Sequence, residues 1–130
     1  MALTERIVAS INGREGFAYG VFLNLAANDC EWHSDPNLPG AEIHSGREAV
    51  ASFLSEFGKQ WTDFQLESVE IIDAGEARTL LLARLRAKGR ASGVTSDQPV
   101  AYLVTFRAEE IVRTQAFFDH ASGRSAAGLT

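Results

Sequence analysis

Along the first third of the chain the apolar positions recur at helical spacing. After Thr4, which can cap a helix, Ile7, Val8 and Ile11 fall on one face, and Asn12-Gly13 breaks the pattern. Asn12 with Glu15 three residues on opens a second predicted helix, whose stripe is Phe17, Val21 and Leu25 with Ala18 and Phe22 between them. Asn28-Asp29 ends it. Gly16 and Gly20 each weaken this helix by roughly 1 kcal/mol relative to alanine, which implies close packing against a neighbour. Cys30-Glu31-Trp32-His33 reads as a short strand, and residues 34–42, with Pro36, Pro39 and Gly40, as a loop, because proline removes ladder donors. Ser45-Gly46-Arg47-Glu48 has the form of a capping box, and Val50, Phe53, Leu54, Phe57 and Trp61 follow three or four apart. That is the pattern of an amphipathic helix lying on a sheet.

From Phe64 the period changes to that of strands. Phe64, Leu66 and residues 69–72 lead into Asp73-Ala74-Gly75-Glu76, where Gly75 can supply the positive φ of a hairpin turn. In the long strand that follows, Arg84, Arg86, Lys88 and Arg90 alternate with Ala83, Leu85, Ala87 and Gly89, giving one polar face and one small, apolar face. Residues 91–99 form a connection. Val100, Tyr102, Val104 and Phe106 then share a face, and antiparallel pairing places Thr114, Ala116 and Phe118 beside them. Ala108-Glu109-Glu110 turns into a last strand over 111–120, and residues 121–129 close as a short helix. Helices first and a meander of long strands afterwards is an α+β order, not a βαβ one.

Composition narrows the partners more than the fold. The chain has 130 residues, 45% of them hydrophobic and 22% charged, the usage of one ordinary globular domain spanning 1–130. A net charge of −5 disfavours nucleic acid and anionic membrane surfaces, both of which need a basic face. Cys30 is the single cysteine, so no internal disulfide forms, and Met1-Ala2-Leu3-Thr4-Glu5-Arg6 lacks the layout of a secretory signal. A cytoplasmic location is the expectation. No apolar run approaches the ~18 residues of a membrane-spanning helix.

The order Cys30-Glu31-Trp32-His33, Asp35-Pro36 and Ser45-Gly46-Arg47-Glu48-Ala49-Val50, with Ala116-Phe117-Phe118-Asp119-His120 and Ala127-Gly128-Leu129 at the end, resembles SnoaL-like proteins. These belong to the nuclear-transport-factor-two-like superfamily, which includes polyketide cyclases, ketosteroid isomerases, dehydratases, epoxide hydrolases and binding domains. The resemblance implies a cone-shaped fold in which a strongly curved sheet, wrapped on about three N-terminal helices, encloses a pocket. It also implies a homodimer through the convex face, here the face of Arg84 and Arg86. Where relatives often carry Asp-Gly before the last strand, this chain has Glu109-Glu110.

Four residues are candidates for chemistry. Asp35 lies close to where, by resemblance, ketosteroid isomerases keep their base, and a carboxylate between apolar walls can accept a proton from carbon; Asp-Pro is also an ordinary turn opening. His33 can transfer protons near neutral pH, or it can be a hydrogen-bonded wall residue. Trp32 must face the side His33 does not. Asp119 resembles in position the base of the SnoaL cyclases, and an aspartate there can equally cap the closing helix. Tyr102, by resemblance, sits at an oxyanion-hole position where its hydroxyl can donate, and is otherwise an amphipathic wall residue.

Trp32, Leu85, Val104, Ala116 and Phe118 are the expected ligand contacts. The tyrosine that ketosteroid isomerases carry on their first helix falls near Ile11, which argues against that reaction, and the Asp-Arg-Asp relay of the epoxide hydrolases is missing. His33, His44 and His120 are scattered, Gly13 and Gly16 follow no strand, and neither a metal nor a cofactor is expected. Phe117, Phe118, Trp61 and Tyr19 are more often core than cofactor contacts. The reading is a binder of an apolar carbonyl compound, with isomerisation, cyclisation or dehydration by proton transfer open to it. A non-catalytic carrier or sensor, and an interaction module using the convex face, are the alternatives.

Overall fold

The computed structural model describes residues 25–129. The two helices expected before Leu25, with Ile11, Tyr19 and the glycines at 13, 16 and 20, lie outside the described residues.

Six strands form one sheet in the order β2-β1-β6-β5-β4-β3. They are β1 (Ala26–His33), β2 (Ile43–Ser45), β3 (Trp61–Gly75), β4 (Arg78–Gly89), β5 (Thr95–Arg107) and β6 (Glu110–Phe117). Helix α1 (Arg47–Lys59) follows β2, and α2 (His120–Ala126) is the last element among the described residues. All pairings are antiparallel except β1 with β6. The α+β class and the curved sheet are as the sequence implies.

Several boundaries differ from the sequence reading. β1 begins at Ala26, so Asn28 and Asp29 do not end a helix there; they sit in a β1–β6 register shift, exposed, with Asp29 held by Arg107 at 2.8 and 3.1 Å. The bulge breaks the apolar alternation, which hid the start of the strand. The capping box does not form. Ser45 stays in β2 opposite Glu31, and Gly46 takes the N-cap position at φ 92° with its N–H donated to the Cys30 carbonyl at 2.8 Å. Trp61 starts β3 instead of ending α1, and the Arg90 side chain donates to the carbonyls of Lys59, the last residue of α1, and of Trp61, both at 3.1 Å. β5 begins at Thr95, not after Pro99. Proline is tolerated because β6 pairing stops at Ala101, leaving Pro99 beside β4 alone. The last strand ends at Phe117 and the closing helix starts at His120.

The β3–β4 and β5–β6 tips use paired left-handed residues: Glu76 and Ala77 at φ 55° and 59°, Ala108 and Glu109 at 50° and 70°. Two central residues of positive φ match the twist of antiparallel strands, and Gly75, just before the first pair, is left-handed too at φ 74°, as the sequence reading expects.

Strand alternation divides the core in two. Leu81, Ala83, Leu85, Ala87, Val100, Val104 and Ala116 face α1 on the concave side, while Leu80, Leu82, Ala101, Leu103 and Phe117 pack with Ala127 on the convex side.

Candidate functional site

The concave face does not close on itself. Trp32 of β1, Leu85 of β4, Tyr102 of β5 and Ala116 of β6 form the back of a cavity of about 250 Å³, and Phe118 flanks them. Phe53, Leu54 and Phe57 descend from α1, and residues 38–41 of the loop after β1 form the mouth, with Leu38 44% exposed. The register explains the grouping. Tyr102 pairs with Ala116, and Leu85 stands on β4 with its side chain on the same face. An alanine opposite a tyrosine leaves the space that a second large side chain would fill.

Aromatic rings run along the wall in series. Tyr102 to Trp32 is 5.9 Å between centroids, Trp32 to Phe53 6.0 Å, Phe53 to Phe57 6.2 Å and Phe57 to Trp61 6.2 Å. His44 stacks on the other side of this series at 4.3 Å from Phe53. Tilted and offset contacts at these separations favour a fixed ring arrangement.

Two groups bring ionisable chemistry to this wall. Burial pushes the Tyr102 hydroxyl above its ordinary value, so it stays protonated and available as a donor at physiological pH. Asp35, 3% exposed, is anchored at both oxygens: Asn37 N–H donates to one and Phe118 N–H to the other, each at 2.9 Å. These bonds tie the mouth loop to the end of β6. The loop is closed further by Ser34 N–H donating to the Glu42 carbonyl at 3.0 Å.

The other candidates are placed elsewhere. Trp32 faces inward, so His33 faces the opposite side, where it bonds Glu31 at 2.9 Å and borders a groove with Gln115 and Phe117. Glu31 also approaches Arg113 at 3.5 Å, and the bond from His33 with these charges holds its carboxyl below the usual range. Asp119 is the N-cap of α2, accepting from Ser122 N–H and from the Ser122 hydroxyl, the latter at 2.8 Å; these bonds hold its carboxyl low. It is not among the residues that line the cavity. Val104 lies on the concave face but within the packed core, 6% exposed, two pairs along from Tyr102.

Phe53, Leu54 and Phe57 are wall residues that the sequence presented only as a helix-on-sheet stripe. Periodicity finds the face and not whether that face meets side chains or space. Among the described residues no group of three His, Cys, Asp or Glu side chains is arranged to hold a metal ion. No described helix is long and apolar enough to cross a membrane.

A curved sheet with an aromatic-walled cavity under α1, the one long helix among the described residues, is an α+β architecture of the ketosteroid-isomerase-like fold. Within that class the chain belongs to the SnoaL-like domain family, whose model matches residues 7–114. No curated protein matches it. Among solved structures, a candidate SnoaL-like polyketide cyclase from Jannaschia sp. CCS1 superposes with a TM-score of 0.75 at 15% identity, covering 99% of this chain and 91% of that one. A candidate isomerase from Bacillus subtilis gives 0.76 at 12% identity, covering 99% and 92%. A ketosteroid isomerase-like protein from Catenulispora acidiphila, in complex with trimethylamine, gives 0.73 at 16% identity, covering 98% and 93%. Identities this low show the shared fold alone.

Proposed function

We propose that this protein binds a compact, mostly apolar small molecule in the concave cavity, with the polar group of the ligand between Asp35 and Tyr102. The observation that carries this reading is the wall itself: five rings, from Trp32, Phe53, Phe57, Tyr102 and Phe118, around about 250 Å³ of space. A volume below the roughly 300–1,000 Å³ of drug-sized pockets favours a single ring or a short branched chain. A thermal-shift and calorimetric panel of small ketones, esters and cyclic compounds tests it. Specific binding that Trp32→Leu weakens supports the reading, and a panel without any binder counts against it.

Cofactor-independent proton transfer is the second reading, favoured because Asp35 and Tyr102 share one wall. Asp35 would take a proton next to a carbonyl, and Tyr102 would donate to the oxyanion that develops. Asp119 and His33 have no part in this version, since one caps α2 and the other faces the opposite side. Loss of turnover of enolisable ketones in Asp35→Asn with binding retained identifies the base; binding by wild type with no turnover leaves a carrier or sensor. A homodimer through the face of Arg84 and Arg86 belongs to the same proposal. Both arginines already pair within the chain, with Asp97 at 2.9 Å and Glu67 at 3.1 Å, so that face is also suited to water. Sedimentation at about 50 µM, suited to interfaces of standard size, decides between them.

A further inference from the structure

The cavity wall contains a buried carboxyl group for which the described residues supply no cationic partner. Asp35 is 3% exposed, and its two oxygens meet only main-chain N–H groups. The ion pairs among the described residues all involve other carboxylates. Buried charges are ordinarily paired or hydrogen-bonded, and Asp35 has the hydrogen bonds without a charged partner among the described residues. A carboxylate offers about four lone-pair positions, so the anchoring bonds leave acceptor capacity toward a ligand.

The rest of the wall points the same way. Among the described residues no lysine, arginine or histidine lines the cavity, and the phenol of Tyr102 adds no charge while it stays protonated. Trp32 lies between Tyr102 and Phe53, with ring centroids 5.9 and 6.0 Å away. Ring faces carry negative potential, and a cation within about 6 Å of a centroid is attracted, most strongly by tryptophan. An anionic ligand would be repelled by Asp35, and a neutral one would leave it unmatched. A primary ammonium spends its contacts on up to three acceptors and has a single N-substituent to put against the rings. A tertiary or quaternary ammonium needs one or none and puts its alkyl groups against the rings.

We propose that the ligand of this cavity is a compact tertiary or quaternary ammonium, seated on Trp32 and its neighbouring rings with Asp35 as its counter-ion. This rests on the binding reading of the cavity and gives Asp35 a different task from the proton-transfer reading.

Choline and 3,3-dimethylbutan-1-ol have nearly the same shape and differ in charge, so calorimetry with the two isolates the cation. Wild type is expected to bind choline about tenfold or more tightly than the alcohol. Asp35→Asn should abolish that ratio. Trp32→Leu should reduce it without touching the mouth loop, which keeps the test decisive if the Asp35 variant fails to fold. A ratio near one in wild type, or one that survives both substitutions, overturns the ammonium assignment; binding of the alcohol or of the neutral panel then leaves the cavity reading standing. If choline fails to bind at about 10 mM, a weak limit for a specific site, the assignment falls, and the neutral panel alone decides the fate of the cavity.

Discussion

The two faces of the sheet are made by alternate residues of the same strands, yet they solve opposite problems. On the convex side small residues let backbones approach: a Cβ added to Gly123 of α2 would overlap the Cβ of Ala101, and Leu80, Leu103 and Phe117 complete a closed layer. On the concave side large rings stand around space they do not fill. Burial totals hide this difference, since Leu80 and Leu85 are both below 5% exposed at 0% and 4%. What separates the faces is the neighbour beyond the side chain, another atom in one case and a cavity in the other.

The largest expected effect comes from truncating one leucine on each face. Leu80→Ala should lose about 4 kcal/mol of stability, toward the upper end for a fully enclosed leucine, without altering ligand affinity. Leu85→Ala borders existing space, so about 2 kcal/mol is expected, with weakened ligand binding. Denaturant melts with calorimetry measure both, and equal losses would break the contrast between the faces.

Gly123→Ala is the next test. In an ordinary helix interior this change gains about 1 kcal/mol, whereas here the overlap with Ala101 should reverse the sign and cost about 1–3 kcal/mol. A stabilised variant would show that α2 sits less tightly on the convex face than the contact implies.

Asp119 sharpens the comparison through pH. Its bonds from Ser122 keep the folded-state carboxyl below the ordinary 3.8, so the stability it contributes is present above that value and is lost as pH falls through the lowered one. Asp119→Ala should lower Tm by about 4 °C at neutral pH and flatten the Tm profile below about pH 4, while cavity binding is retained. Loss of ligand binding would return Asp119 to the concave site. The smallest effect belongs to the hairpin tips, which serve neither face: Ala77→Gly, at φ 59°, should gain about 0.5–1 kcal/mol by relieving left-handed strain.

Much of this organisation is legible in the sequence. The alternation Ala83, Leu85, Ala87 against Arg84, Arg86, Lys88 assigns β4 its faces, and the odd–even partition of β5 separates Val100, Tyr102 and Val104 from Ala101 and Leu103. Where the reading fails, a tertiary contact overrides the local signal. Ser45 looks like an N-cap until pairing with Glu31 holds it in β2, and Pro99 looks like a loop until β6 stops short of it. Asp119 and Asp35 look alike as acids near strand ends. Only the fold shows that one bonds its own helix and the other spans from the loop to Phe118 N–H.

The parallel pairing of β1 with β6 sets a timetable for assembly. Ala26 meets Ile111, and Trp32 meets Thr114, so β1 gains its central partner only after nearly the whole described chain has been synthesised. The β3–β4–β5 meander can form earlier, from neighbours in sequence. Trp32 therefore reaches Tyr102 only in the closing step, and a ribosome-bound chain halted before β6 would expose a tryptophan that chaperones could recognise.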